Sequence, residues 1–375
     1  MKTSLTLALG ALLLASTAAP AQEEKTLNLF NWSNYTAPDV KNDAGAVTKK
    51  GTYTLFTEAT GIQVVESNYD SNEMLEGILA PGHSNYDIVV PSGFYLQHQI
   101  PVGIYLKLDK SKLPNLANMD PDIMKATETF DPGNQYAVDY MWGTTGLGYN
   151  VDMLKARMPD APLDSWDLLF KPENAKKFAD CGITILDAQS EVIAIGLKYL
   201  GLDANSEKPE DLKKAEELMD SIKPYIRKFD SSGYIDDLAN GDACLSLGYS
   251  GDVYIARHSA EDAKNGINVR YVIPKEGTIE WFDMLAIPAD APHPENALAF
   301  MNFFMQPQIT ADVSNAMFYA NGNKAAFALT DPAITSDPNI YPPPDVVKTL
   351  TVLQTHTPAF TQDLTRTWTR IKTGQ

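Results

Sequence analysis

The 375-residue chain has two cysteines and five histidines, and beyond its first residues it has no apolar run long enough to span a bilayer. Those shortages exclude several kinds of protein. His83, His98, His258, His293 and His356 are scattered along the chain without the clustering that zinc or non-haem iron sites need, so no metal site is expected. There is no Walker loop, and Gly146-Leu147-Gly148 lacks the third glycine of a dinucleotide fingerprint. Gly248-Tyr249-Ser250-Gly251 has Asp252 where a nucleophile elbow needs glycine two places after the serine. Nothing nominates a nucleophile, a cofactor or a metal, and the expectation is a protein that is not an enzyme. Positive charge is also short, with 30 Lys and Arg against 48 Asp and Glu and a formal charge of −18. A polyanionic partner such as nucleic acid or an acidic membrane surface is disfavoured, and a cationic ligand is permitted.

What is present begins with an export signal. Lys2 supplies a positive start, Leu5 to Leu14 is a short apolar run, and Ala19-Pro20-Ala21 offers small residues for cleavage. Residues 1–21 are therefore expected to be a signal peptide cleaved near Ala21, leaving an exported chain one unit more negative. In the oxidising compartment that export implies, Cys181 and Cys244 read either as one bridge or as two buried thiols, and the compartment favours the bridge. The length suits about two domains, and 44% hydrophobic residues suits real cores.

Short β runs alternate with helical stretches. Strands are expected at 26–30, 63–66, 86–90, 182–186, 243–247, 269–273 and 281–287. Helices are expected at 72–79, after Glu191 to Leu200, and at 209–223, 294–305 and 308–317. This order predicts an α/β protein in two lobes. Open α/β sheets place ligands at the carboxyl ends of their strands. Those exits carry aromatics and carboxylates: Asn31-Trp32-Ser33-Asn34-Tyr35, Ser92 with Phe94, Glu191, and Tyr249 with Asp252. Trp281-Phe282-Asp283 opens a strand, and Phe318-Tyr319-Ala320-Asn321 ends a helix. Each aromatic alone reads as ordinary core and each carboxylate as a solvated group. If they converge, they form a cleft with apolar walls and anionic spots, suited to ammonium groups joined by methylenes.

In these same segments the chain resembles the periplasmic putrescine- and spermidine-binding proteins of bacterial ABC importers, most closely the putrescine-binding branch. The resemblance is carried by Asn31-Trp32-Ser33, Asp70-Ser71-Asn72-Glu73, Val89-Val90-Pro91-Ser92 and Leu108-Asp109-Lys110-Ser111-Lys112-Leu113-Pro114. It continues through Thr144-Thr145-Gly146-Leu147-Gly148-Tyr149-Asn150, Ser165-Trp166-Asp167, Asp237-Leu238-Ala239-Asn240-Gly241-Asp242, Ile273-Pro274-Lys275-Glu276-Gly277 and Phe318-Tyr319-Ala320-Asn321. It implies a two-lobed type II periplasmic binding-protein fold with a hinge. Residues 26–139 with 281–322 would form the N-terminal lobe, and 140–280 with 323–375 the C-terminal lobe.

The ligand-binding residues implied are Trp32, Ser33, Tyr35, Ser92, Glu191, Ser231, Tyr249, Asp252, Trp281, Asp283 and Tyr319. Glu191, Asp252 and Asp283 would hold ammonium groups, and Trp32, Tyr249, Trp281 and Tyr319 would box the alkyl chain. The family also has a disulfide where Cys181 and Cys244 stand. The implied partners are a polyamine and inner-membrane permease subunits, with the chain acting as a monomer. Other readings are a binding protein of this fold for another small ligand, and a polyamine-sensing role. The chain departs from the family in several places. Asn34 stands at a position usually acidic, and Tyr249 replaces a tryptophan common in the putrescine branch. Phe94 and Trp281 look like the spermidine binders, and Asp252 like the putrescine binders. Asn42 to Lys50 looks like extra sequence beside the first helix.

Overall fold

A computed structural model describes residues 23–374; the expected signal peptide at 1–21 lies outside the described residues. Its strands are β1 (Thr26–Trp32), β2 (Val40–Lys41), β3 (Val47–Lys49), β4 (Gln63–Tyr69), β5 (Ile88–Val89) and β6 (Ala137–Asn150). Then come β7 (Ile183–Ile185), β8 (Lys228–Phe229), β9 (Leu245–Tyr249), β10 (Val269–Val272), β11 (Ile279–Ala286) and β12 (Thr351–Val352). Ten of them form one mixed sheet in the order β4-β1-β5-β11-β6-β9-β7-β8, with β10 on β6 and β12 on β11.

The order has a physical division. At one end β4, β1 and β5 run parallel, and at the other β7, β8 and β9 run parallel, so each end needs helices on its faces. Between them β6 and β11 run antiparallel to each other, β11 antiparallel to β5 and β6 antiparallel to β9, while β12 adds to β11 in parallel. β6 has 14 residues, all buried. Its first part pairs with β11, and its last part pairs with β9 and β10. Two strands thus connect two helix-covered half-sheets. Their ladder shifts register between Asp283 and Met284, opposite Met141 and Asp139.

Most of the expected elements stand within two or three residues of their place. The helices Asn72–Leu79, Pro209–Ile222, Pro294–Phe304 and Pro307–Met317 follow the apolar periodicity. β9 ends two residues later than the apolar run suggests, at Tyr249. Gly248 sustains it, because a Cβ there would lie 2.4 Å from the Tyr234 ring. β6 carries no alternation that marks a strand: it is buried on both faces and contains Gly143, Gly146 and Gly148. The extra sequence at Asn42 to Lys50, beside the first helix (Thr52–Thr60), contains β3, which pairs with β2 just before it in an exposed two-stranded ribbon off the main sheet.

Large apolar side chains fill both ends, among them Trp166, Phe170, Phe178, Phe56, Phe300 and Phe304. Each such burial contributes roughly 1.5–3 kcal/mol. Cys181 and Cys244 form a disulfide with Cα atoms 5.5 Å apart, just ahead of the neighbouring strands β7 and β9. Among the described residues no helix is long and apolar enough to cross a membrane.

Candidate functional site

A cleft of about 660 Å³, its open mouth included, lies between the two half-sheets, beside the connecting strands. All eleven residues singled out in the sequence line it. Trp32, Ser33 and Tyr35 follow from β1, and Ser92 precedes the helix Gly93–Gln99. Glu191 is in the first turn of the helix Gln189–Tyr199, and Ser231 follows β8. Tyr249 ends β9, and Asp252 is in the first turn of the helix Ser250–Ala263. Trp281 and Asp283 are two apart on β11 and share one face, as the two-residue period of a strand requires. Tyr319 follows the helix Pro307–Met317, which Phe318 ends in a left-handed conformation at φ 59°.

The three carboxylates are held alike. Asp283 accepts from Ser92 Oγ at 2.7 Å and from Tyr35 Oη at 3.1 Å. Asp252 accepts from Tyr319 Oη at 2.6 Å and from Tyr234 Oη at 2.9 Å. Glu191 accepts from Thr145 Oγ1 at 2.7 Å and from Tyr249 Oη at 3.2 Å. Every donor is a neutral hydroxyl. No Lys, Arg or His of the described residues lies within ion-pair distance of any of the three.

Burial without a counter-charge penalises the ionised form. It pushes Glu191 up to about 7, Asp252 up to about 6 and Asp283 up to about 7, against the partial relief of the hydroxyl bonds. Glu191 and Asp252 also raise Asp283 by like-charge repulsion. Chemically, the cleft gathers three acidic groups with no basic side chain beside them.

The walls between the carboxylates are aromatic. Trp281 meets Tyr249 and Tyr319 edge to face at 5.8 and 5.3 Å, and Tyr35 meets Tyr319 at 5.3 Å. Trp32 packs at 4.6 Å on Tyr69, and its Nε1 donates to Val90 O at 2.9 Å, which fixes the indole. Gly143 of β6 permits the position of Trp281, since a Cβ there would lie 2.8 Å from the indole Cζ2. Ser231 Oγ accepts from the Asp187 N–H at 3.0 Å and so ties two strand exits together.

Asn34 also lines the cleft, at φ 53°, a left-handed conformation that asparagine tolerates. Phe94 lies outside the main cleft, in two smaller adjoining hollows. Sequence reasoning missed four supporting residues. Tyr234 holds Asp252 and accepts from the Tyr249 N–H at 2.9 Å, and Asn72 exchanges two 3.0 Å bonds with Ser92. Thr145 holds Glu191, and Tyr69 backs Trp32. Asn72 was within reach, because the family resemblance runs through it. Tyr234 gave no sign, since it begins a short helix (Tyr234–Asn240) with no apolar period long enough to read. Among the described residues no group of three or more His, Cys, Asp or Glu is arranged to hold a metal ion.

The chain matches the family model for bacterial extracellular solute-binding proteins over residues 52–342. It is 50% identical over 359 residues to the putrescine-binding periplasmic protein SpuD of Pseudomonas aeruginosa (strain UCBPP-PA14), covering 95% of this chain and 94% of that one. It is 46% identical to the putrescine-binding periplasmic protein PotF of Escherichia coli (strain K12), covering 98% and 96%. Among solved structures, the spermidine/putrescine ABC transporter substrate-binding protein PotD of Streptococcus pneumoniae superposes with a TM-score of 0.73 at 27% identity, covering 93% of this chain and 99% of that one.

Proposed function

Because the chain belongs to the bacterial extracellular solute-binding proteins, we propose that it captures a polyamine in the cleft and delivers it to the permease of an ABC importer. It works in the periplasm as a binding protein, not an enzyme. One observation carries the reading: three carboxylates, Glu191 and Asp283 buried and Asp252 half-buried, each with two hydroxyl donors and no basic side chain beside it, stand around aromatic walls. A flexible chain of methylenes ending in ammonium groups supplies what they lack. The ammonium groups form charge-assisted bonds to the carboxylates, and the methylenes lie on the aromatic faces. The names of the two relatives at 46% and 50% identity specify putrescine.

In this reading all eleven lining residues are ligand residues. Glu191, Asp252 and Asp283 take the charges, and Trp32, Tyr249, Trp281 and Tyr319 box the chain. The lobes are 26–139 with 281–322 and 140–280 with 323–375. The register shift of β6 against β11 at Asp283/Met284 lies at their junction and suits a hinge. The cleft is complete within one chain, which supports a monomer.

The test is calorimetry on refolded, ligand-free protein titrated with putrescine, cadaverine, agmatine and spermidine. Micromolar or tighter binding of at least one is expected, and heat from none of them would overturn the reading. Asp283→Asn should weaken binding at least tenfold while the far-ultraviolet spectrum stays unchanged, because loss of one charge-assisted bond costs about 1.5–3 kcal/mol. Unchanged affinity would remove Asp283 from the site.

A further inference from the structure

Away from the cleft, a group of hydrogen bonds joins the two proposed lobes where no ligand residue stands. After β12 the chain passes through Leu353 to Thr357 into the helix Pro358–Thr373. This strap belongs to the C-terminal lobe, and it runs past the helix Gly93–Gln99 of the N-terminal lobe. The Thr355 hydroxyl donates to Phe94 O at 2.6 Å, and the Thr355 N–H donates to Gln97 Oε1 at 3.1 Å. Gln97 Nε2 donates more loosely to Gln354 Oε1 at 3.4 Å. Gln97, Gln354 and Thr355 are half-buried, and none of them lines the cleft.

Each side of this contact is braced within its own lobe. Gln97 Nε2 also donates to Thr129 O at 3.0 Å, which orients its amide toward the strap. On the other side, Asn205 Oδ1 accepts from the Gln354 N–H at 2.9 Å, and Asn205 Nδ2 donates to Val352 O at 3.1 Å. The Glu207 carboxylate accepts from the Thr357 N–H at 2.6 Å and from Thr357 Oγ1 at 2.9 Å. Asn205 and Glu207 stand between the helices Gln189–Tyr199 and Pro209–Ile222. The strap is thus fixed to one lobe and reaches across to the other. The helix it reaches is the one that Ser92 precedes, and Ser92 holds Asp283.

We infer that Gln97 and Thr355 form a clasp that engages when the cleft closes, and that the clasp sets how tightly the protein holds its ligand without choosing among ligands. The apparent affinity of a two-state binder is that of its competent form scaled by the fraction that adopts it. A bond between the lobes adds to that fraction whether or not it touches the ligand. In an open form these groups exchange their partners for water, so closing gains only the net worth of each bond, enough for a severalfold change in affinity. Gln97 and Thr355 are positioning residues: they act through the helix Gly93–Gln99 and not on the ligand. This rests on the polyamine reading of the cleft and on the lobe division, and the experiment separates it from the former.

The test has two parts. Calorimetry compares putrescine, cadaverine and spermidine on the wild type, Thr355→Val, Thr355→Ser and Gln97→Ala. In Thr355→Val and Gln97→Ala the Kd should rise about three- to tenfold, by the same factor for every amine that the wild type binds, as loss of a bond remote from the ligand requires. Thr355→Ser keeps the hydroxyl and should restore the wild-type Kd within about twofold. Hydrogen exchange of the wild type, followed by NMR, reads the clasp directly. The Thr355 amide should exchange at least about tenfold more slowly with the tightest-binding of the three amines at saturation than without it. That part uses the wild type alone and decides the matter even where a variant folds poorly. An unchanged Kd in Thr355→Val, a loss confined to one amine, or equal protection of the Thr355 amide with and without ligand overturns the clasp while polyamine binding stands. If the wild type binds none of the three, the polyamine reading falls and the clasp falls with it.

Discussion

Tyr319 and Asp252 bond to each other twice: the Tyr319 hydroxyl donates to Asp252 Oδ1 at 2.6 Å, and the Asp252 N–H donates back to the same hydroxyl oxygen at 3.2 Å. Tyr319 comes from the end of the helix Pro307–Met317 and Asp252 from the start of the helix Ser250–Ala263. The pair therefore joins the two sides of the cleft and also orients the carboxylate. In Tyr319→Phe the ring keeps its packing on Trp281, but Asp252 retains only the Tyr234 bond. Putrescine affinity should fall about tenfold, the worth of a hydrogen bond to a charged group. Calorimetry checks this, and an unchanged Kd would show that Tyr234 alone suffices.

The raised carboxylates predict how pH acts. Glu191, Asp252 and Asp283 stand near 7, 6 and 7 in the free protein, against ordinary values of 4.5 and 3.8. From about pH 4 to 7 the native free protein thus holds protons that the unfolded chain has lost. These groups favour the free fold fully below their ordinary values, and that contribution is lost as pH rises through 6 to 7. A cationic ligand requires them ionised and reverses the sign. Putrescine should bind at least tenfold more weakly at pH 5 than at pH 8, with proton release on binding near pH 6.5. Its effect on melting temperature should be larger at pH 8. Isothermal titration and thermal melts across this range check both.

The parts of this molecule that were legible in the sequence are those where local pattern and tertiary environment agree. The helix Asn72–Leu79 has a Ser71 cap and an apolar stripe, and it stands where the residues place it. The strand exits carrying Trp32, Ser92, Glu191 and Tyr249 were legible because ligand sites follow strand ends. Convergence was not legible from periodicity, since Tyr35 reaches Asp283 across 248 residues of sequence, and the family resemblance supplied it. β6 was hidden because burial on both faces removes alternation.

Asp139 is a second acidic residue on a connecting strand whose state follows from burial. It is 1% exposed on β6, and neither carboxylate oxygen has a well-formed hydrogen bond. Burial raises it far above the ordinary range, and the nearby Gly322 amide offsets this only in part. The approach is close: a Cβ on Gly322 would lie 2.5 Å from Asp139 Oδ2. The native side chain therefore keeps its proton to a higher pH than the unfolded chain, in which it ionises above about pH 4. Its contribution to stability is present below that value and is lost as pH rises. Asp139→Asn keeps the shape without the titration. The variant should melt higher than wild type at pH 8 and about equally at pH 4, with the difference growing steadily between. A variant that melts lower at pH 8 would mean that the carboxyl has a partner it needs.

The disulfide should matter to stability and little to binding. Cys181 and Cys244 are 63 residues apart, and closing that loop restricts the unfolded chain by about 4 kcal/mol in the entropy model. In the folded protein the bridge adds little positioning. β7 and β9 already lie in parallel register from Ile183 with Leu245 to Ile185 with Leu247, and Thr184 and Ser246 hydrogen-bond across them at 2.5 Å. Those strands carry the exits that lead to Glu191 and Tyr249. Cys181→Ala with Cys244→Ala should lower the urea midpoint by the equivalent of about 4 kcal/mol. The Kd for putrescine should stay within about threefold, a change smaller than the loss of one hydrogen bond. A larger loss of affinity at a temperature where the variant is fully folded would mean that the bridge holds the cleft wall as well as the chain.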